Sequence, residues 1–167
     1  MTQPSTKTKF RRGFKKWTDD KVIEIREQLG LKSFSPLCAY ELCKFLKVPI
    51  YTPKEVNGLL DNHIKALTDD SSTSSWSAVT IRIGVCEHLI IHNPTHSPAR
   101  QQSNIMHELG HIICGHTLST SNDCPCFAGG LRDIDGEKES EAEWFGACMQ
   151  LPRPALIHCL RKGMSSY

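Results

Sequence analysis

The run His107-Glu108-Leu109-Gly110-His111 places two imidazoles four residues apart with a carboxylate beside the first. On a helix, residues four apart lie on one face, so both rings can reach a single ion. Glu108 stands about 100° round the axis from His107. It is too far round to ligate easily, but it can hydrogen-bond a metal-held water and take its proton. The chemistry such a pattern serves is zinc-assisted hydrolysis of a peptide bond, in which Glu108 carries the proton from the attacking water to the leaving amine. The residue frequencies of this chain give roughly a one-in-fifty expectation of a random match. The match gains weight because Ile105, Leu109, Ile112 and Ile113 independently mark the segment as an amphipathic helix.

A catalytic zinc needs three protein ligands and an open position for water, so a third donor is expected downstream on another element. The acidic cluster Glu137, Glu139, Glu141 and Glu143 supplies candidates. On a helix, Glu139, Glu143, Gly146 and Gln150 form one stripe, with a small residue where two helices would have to approach closely. Glu139 is the expected third ligand and Glu143, one turn on, the carboxylate that orients a histidine ring, with Glu141 as the fallback. The competing reading makes these glutamates the solvated N-terminus of a helix, where negative charge suits the macrodipole. His116 projects to the opposite side of the helix from His107 and reads as a C-terminal cap, and Cys114 reads as a small buried thiol before it reads as a soft ligand. Cys124-Pro125-Cys126 lacks the two-residue spacer and the second pair of a structural zinc site.

The elements that must position these residues are legible in outline. Thr18-Asp19-Asp20 is a capping signal followed by Val22, Ile23, Ile25 and Leu29 at helical spacing, and Gly30 ends that helix. A second amphipathic run opens at Ser35-Pro36 and stops near Val48-Pro49, and Ile50-Tyr51 follows as a short extended piece. A third helix is expected from Thr52-Pro53 to about Leu67. The stretch from Thr68 to Ser75 is rich in Asp and Ser and reads as an exposed connection. Alternation from Trp76 to Ile83, then Leu89, Ile90 and Ile91 after Gly84, predicts a β-hairpin. Helical patterns return from Pro98 to His116, from Gly136 to just before Pro152, and from Pro154 to Leu160. The fold class expected is α+β, a helical zincin-like domain with a small antiparallel sheet packed on the helix that carries His107 and His111. The organisation is a basic leading segment, 1–17, and one domain, 18–167, with a helical front at 18–67, the hairpin at 76–93 and the metal-site helices within 98–151.

Composition bounds the partners. A chain of 167 residues with 39% hydrophobic content supports one core, and a net charge of +2 gives no general reason to expect nucleic acid or a membrane surface. Lys7, Lys9, Arg11, Arg12, Lys15 and Lys16, interleaved with Phe10, Phe14 and Trp17, read either as a nucleic-acid arm or as a solvated segment whose aromatics pack on the domain. No run of the sequence is apolar enough to span a bilayer, and the first thirty residues lack the hydrophobic block of a secretory signal, so a cytoplasmic location is expected. The eight cysteines then read as reduced thiols, mainly buried.

With these residues in place the chain resembles the ImmA/IrrE family of bacterial metallopeptidases. The likeness rests on Arg12-Gly13-Phe14-Lys15-Lys16 leading into a helix with Ile25-Arg26, on Ile90-Ile91-His92-Asn93, on Arg100-Gln101-Gln102, on His107 to His116, and on Glu139-Ser140-Glu141-Ala142 with Phe145 and Leu151-Pro152. It implies a gluzincin-like centre completed by Glu139 and limited proteolysis of a helix-turn-helix repressor that releases silenced genes. Two positions depart from the family pattern: Glu143 stands where Asn or Asp is usual, and Gly146 where alanine is usual. A rival expectation from another class is a zinc-containing regulatory protein that sequesters a repressor or antitoxin without cutting it. Chemistry alone allows Tyr51 or His92 as the group that stabilises the oxyanion.

Overall fold

The computed structural model describes residues 10–68, 76–84, 87–116 and 136–163. The first nine residues, the Asp- and Ser-rich stretch 69–75 and the segment with Cys124-Pro125-Cys126 lie outside them. The first helix, α1, spans Phe14–Gln28 and so begins four residues ahead of the Thr18 capping signal. Gly13 takes a left-handed φ of 81° that starts the helix, and Phe14 and Thr18 are both buried within it. The aromatics of the leading segment pack on the domain: Phe10 stacks on Phe14 and meets Trp144 edge-on, and Trp17 lies against Phe145.

Helix α2 spans Ala39–Leu46 and the two-residue strand β1 covers Ile50–Tyr51. The expected third helix is divided. Thr52 and Glu55 form a capping box around a single 3-10 turn at Pro53–Glu55, Gly58 adopts a φ of 88° that no helix continues through, and α3 resumes at Asp61–Thr68. The hairpin forms from β2, Ala78–Arg82, and β3, His88–His92, paired antiparallel with Thr80 opposite Ile90. On the other side of β3, β1 adds in parallel register, so the sheet order is β1-β3-β2 and the sheet is mixed. The extended piece at Ile50-Tyr51 thus found a partner that strand alternation could not specify.

Helix α4, Pro98–Cys114, starts at Ser97, whose Oγ accepts from the Arg100 amide, and ends where Gly115 turns left-handed. Helix α5 spans Gly136–Gln150 and α6 spans Arg153–Arg161. The core joins Phe14, Val22 and Ile25 of α1 to Leu42 of α2, Ile90 of β3, Ile105, Met106 and Leu109 of α4, and Phe145 and Met149 of α5. The sheet packs on α4, and α5 lies against both α4 and α1. Two glycines let α4 and α5 meet backbone to backbone. A Cβ on Gly110 would stand 2.7 Å from the Ala142 carbonyl oxygen, and one on Gly146 would stand 3.1 Å from that of Met106. Arg26, fully buried, donates from Nη2 to the Met149 carbonyl at 2.6 Å and ties α1 to the carbonyl end of α5. Among the described residues no helix is long and apolar enough to cross a membrane.

Candidate metal centre

The close α4–α5 contact brings Glu139 over the two histidines. His107 and His111, one turn apart on α4, present Nε2 atoms 3.1 Å from each other. Glu139 Oε2 lies 3.2 Å from His107 Nε2, and its Oε1 lies 3.4 Å from His111 Nε2. Two atoms each bonded to a tetrahedral zinc at about 2.0–2.1 Å stand roughly 3.4 Å apart. The three side chains therefore already hold the spacing of a zinc coordination face, and among the described residues they are the one His/Cys/Asp/Glu group compact enough to do so. His111 is buried, whereas the side chains of His107 and Glu139 keep 30% and 34% of their surface exposed, so the centre opens on that side.

The local electrostatics fit the donor set. The hydrogen bond to Glu139 raises the His107 pKa above the ordinary imidazole value against the opposing effect of burial. The same bond to His107, then that to His111, holds the Glu139 carboxylate well below the usual carboxylate range. An anionic oxygen gathered with two imidazoles is what a divalent cation needs and what it would displace protons from.

Glu108 is buried on the flank of α4 that faces the sheet, where Thr80 Oγ1 donates to its Oε2 at 2.6 Å. Thr80 is the polar residue of β2 turned toward α4, and its place between Val79 and Ile81 in an alternating strand was the one signal that could have marked it. Glu143 is exposed on α5, where its charge helps to raise the His107 pKa, and it is Glu141 that meets a histidine ring, that of His116. Glu141, the fallback ligand, lies outside the triad: it is buried, its Oε2 is 3.2 Å from His116 Nε2, and its Oε1 accepts the Arg11 amide at 3.2 Å. His116 departs from the helical projection because α4 has ended. Gly115, at φ 68°, turns the chain so that the His116 ring folds back to place Nδ1 3.1 Å from His111 Nδ1. Its backbone N–H still caps the helix on the His111 carbonyl. Burial lowers the His116 pKa, with the Glu141 hydrogen bond opposing.

The remaining candidates are set apart from this centre. Tyr51 belongs to β1, two strands across from Thr80, which is roughly 9–10 Å at ordinary strand spacing. His92 pairs with Ala78, one step of the alternation away from Thr80, and is buried against the Tyr40 ring. Cys114 is a buried free thiol whose pKa burial pushes up to about 12, and it is not part of the ligand group.

A helical α+β domain that carries two histidines on one helix turn and a carboxylate from the neighbouring helix defines a candidate metal-dependent hydrolase. Comparison with protein families places the chain: the Peptidase M78 family, described as the IrrE N-terminal-like domain, matches residues 63–167, more than half of the chain. The chain belongs to this family and is a metallopeptidase of the ImmA/IrrE type. The matched span takes in the hairpin, the candidate metal centre and α6, and α1, α2 and β1 precede it. Comparisons with curated proteins and with solved structures gave no match.

Proposed function

We propose that the chain is a zinc-dependent endopeptidase whose metal is held by His107, His111 and Glu139 and whose general base is Glu108. The observation that carries this reading is the convergence of those three ligand atoms within 4.8 Å of one another, in a chain of a metallopeptidase family. A zinc ion bound there would supply a water of lowered pKa and polarise the scissile carbonyl. Glu108 accepts the proton of the attacking water and returns it to the leaving amine, and Thr80 fixes the carboxylate in place for both transfers. Among the described residues β2 is an edge strand, with β3 on one side only. A substrate peptide added along β2 as a further strand runs past Thr80, and so past Glu108, with its backbone held by ladder hydrogen bonds.

The substrate proposed is a helix-turn-helix transcriptional repressor in the cytoplasm, whose cleavage releases the genes it silences. The family membership and the sequence resemblance support this choice. Co-expression of the chain with the repressor encoded nearest to it tests the reading. Wild-type chain yields a new repressor fragment, and Glu108→Gln, which keeps all three ligands, yields none while retaining its metal. Equal derepression by wild type and Glu108→Gln with the repressor intact would instead make the chain a sequestering protein.

A further inference from the structure

We propose that His116 and Glu141, aligned by Arg11, form a hydrogen-bonded relay that fixes the His111 ring in the one tautomer able to bind the metal. The inference rests on the reading of His107, His111 and Glu139 as ligands and adds three positioning residues behind them. Its polarity follows from the carboxylate end. A carboxylate only accepts, so the contact of 3.2 Å between Glu141 Oε2 and His116 Nε2 places the proton on that nitrogen. Nδ1 of a neutral His116 is then an acceptor, and the atom facing it at 3.1 Å is His111 Nδ1, which must donate. A proton of His111 is thereby held on Nδ1, which leaves Nε2, the atom that faces His107 and Glu139, as the nitrogen whose proton the ion replaces. The opposite polarity would turn a donor toward His111 Nδ1 and make Nε2 the ring's only N–H, which the ion could not replace without leaving the ring anionic.

Water has little access to rearrange this chain of bonds, because the side chains of His111, His116 and Glu141 keep only 4%, 5% and 4% of their surface exposed. Its far end lies ahead of the span matched by the family. The Arg11 backbone N–H donates to Glu141 Oε1 at 3.2 Å, and its guanidinium Nε stands 3.6 Å from the same oxygen. Arg11 therefore decides which oxygen is turned to His116. Three separate pieces of chain meet here: the leading segment, α5, and α4 with its terminal turn at Gly115. Histidine ligands are commonly held in this way by an outer hydrogen-bond partner, and loss of such a partner costs 10- to 100-fold in metal affinity.

Glu141→Gln reverses the relay with almost no change of shape. The Arg11 N–H keeps the amide oxygen on its own side, so the NH2 group faces His116 Nε2 and forces the protons of both rings the wrong way. The test is zinc affinity of the full-length chain by competition with a chromophoric chelator, together with the His111 tautomer of the metal-free wild type by long-range 1H–15N correlation. The expected result is a 10- to 100-fold weaker zinc affinity for Glu141→Gln at unchanged metal-free melting temperature, and a wild-type His111 protonated on Nδ1. Wild-type affinity in Glu141→Gln, or a wild-type His111 with no proton on Nδ1, overturns the relay while leaving the metal reading standing. Wild-type protein that binds no zinc overturns both. The tautomer measurement decides the matter alone should Glu141→Gln fail to fold.

Discussion

Gly110→Ala probes whether the spacing of α4 and α5 sets the metal centre. The added Cβ would meet three backbone atoms of α5, the Ala142 carbonyl oxygen at 2.7 Å, Cα at 3.2 Å and carbonyl carbon at 3.3 Å. Backbone cannot step aside as a side-chain tip can, so restoring ordinary contact requires the helices to part by roughly 0.7 Å. Glu139 lies three residues before Ala142 on α5, whereas both histidines lie on α4, so the parting falls directly on the ligand spacing. Metal–ligand distances tolerate about 0.2 Å, and rotamer adjustment by Glu139 recovers only part of a shift several times larger. Overpacking costs about 1–3 kcal/mol, while replacing a mid-helix glycine by alanine returns about 1 kcal/mol. Net stability should therefore fall by about 0–2 kcal/mol, while zinc affinity falls at least about tenfold, or about 1.4 kcal/mol. Gly146→Ala is the control. Its Cβ needs only a few tenths of an ångström from the Met106 carbonyl and His107, and the propensity gain offsets this to within about 1 kcal/mol. Urea denaturation of the metal-free proteins and chelator competition on the same samples separate the two effects. A Gly110→Ala protein with wild-type zinc affinity would refute the argument that helix approach places Glu139.

Three further outcomes follow from the structure. Thr80→Val removes the 2.6 Å donor to Glu108, and turnover should fall at least about tenfold with zinc stoichiometry unchanged; a loss of metal instead would show that Thr80 supports the fold of the centre. In metal-free protein, the raised pKa of His107 makes its pairing with Glu139 stabilising below about pH 6.5 and lost as pH rises through the folded value. The depressed pKa of Glu139 makes its contribution present above about pH 4.3 and lost as pH falls. The melting-temperature difference between wild type and Glu139→Gln in excess chelator should therefore peak between those values, and a difference flat across pH 4–8 would count against the pairing. Cys38 is exposed at the N-cap of α2. Burial pushes its thiol up, but hydrogen bonds from the Glu41 amide, the Gln102 side chain and the Tyr40 amide outweigh it and draw the pKa below its ordinary value. Iodoacetamide should modify Cys38 before Cys43, Cys114 and Cys148, whose thiols burial pushes up; mass spectrometry showing Cys148 labelled first would contradict this.

The parts of the fold that sequence made legible are those governed by local periodicity. The helix of His107 and His111, the hairpin and the helix of Glu139 each carry an unbroken pattern with a punctuating residue at its end. Gly146, expected at a close helix approach, lies against Met106 and His107. What escaped depended on single glycines or on distant partners. Gly13 starts α1 early by turning left-handed, and Gly58 divides the third helix where the apolar pattern alone ran through. The parallel pairing of Ile50-Tyr51 with β3 joins segments about forty residues apart, and no local pattern encodes it. Within the centre, His107, His111 and Glu139 converge as their spacing indicated. The face of the His116 ring escaped because a helical wheel assigns faces only while the helix lasts, and the wheel takes no account of the neighbour that a helix meets. α4 ends at Cys114, which frees the His116 ring to turn back, and α5 meets α4 along Ala142 and Gly146, which leaves Glu143 on the outside.

The most direct measurement is zinc K-edge X-ray absorption on the chain loaded with one equivalent of zinc. The account predicts two imidazole nitrogens and light-atom oxygens at about 2.0–2.1 Å with no sulfur, and loss of this signature in His111→Ala and Glu139→Ala. A sulfur shell near 2.3 Å would place the metal on the cysteines instead and contradict the proposed centre.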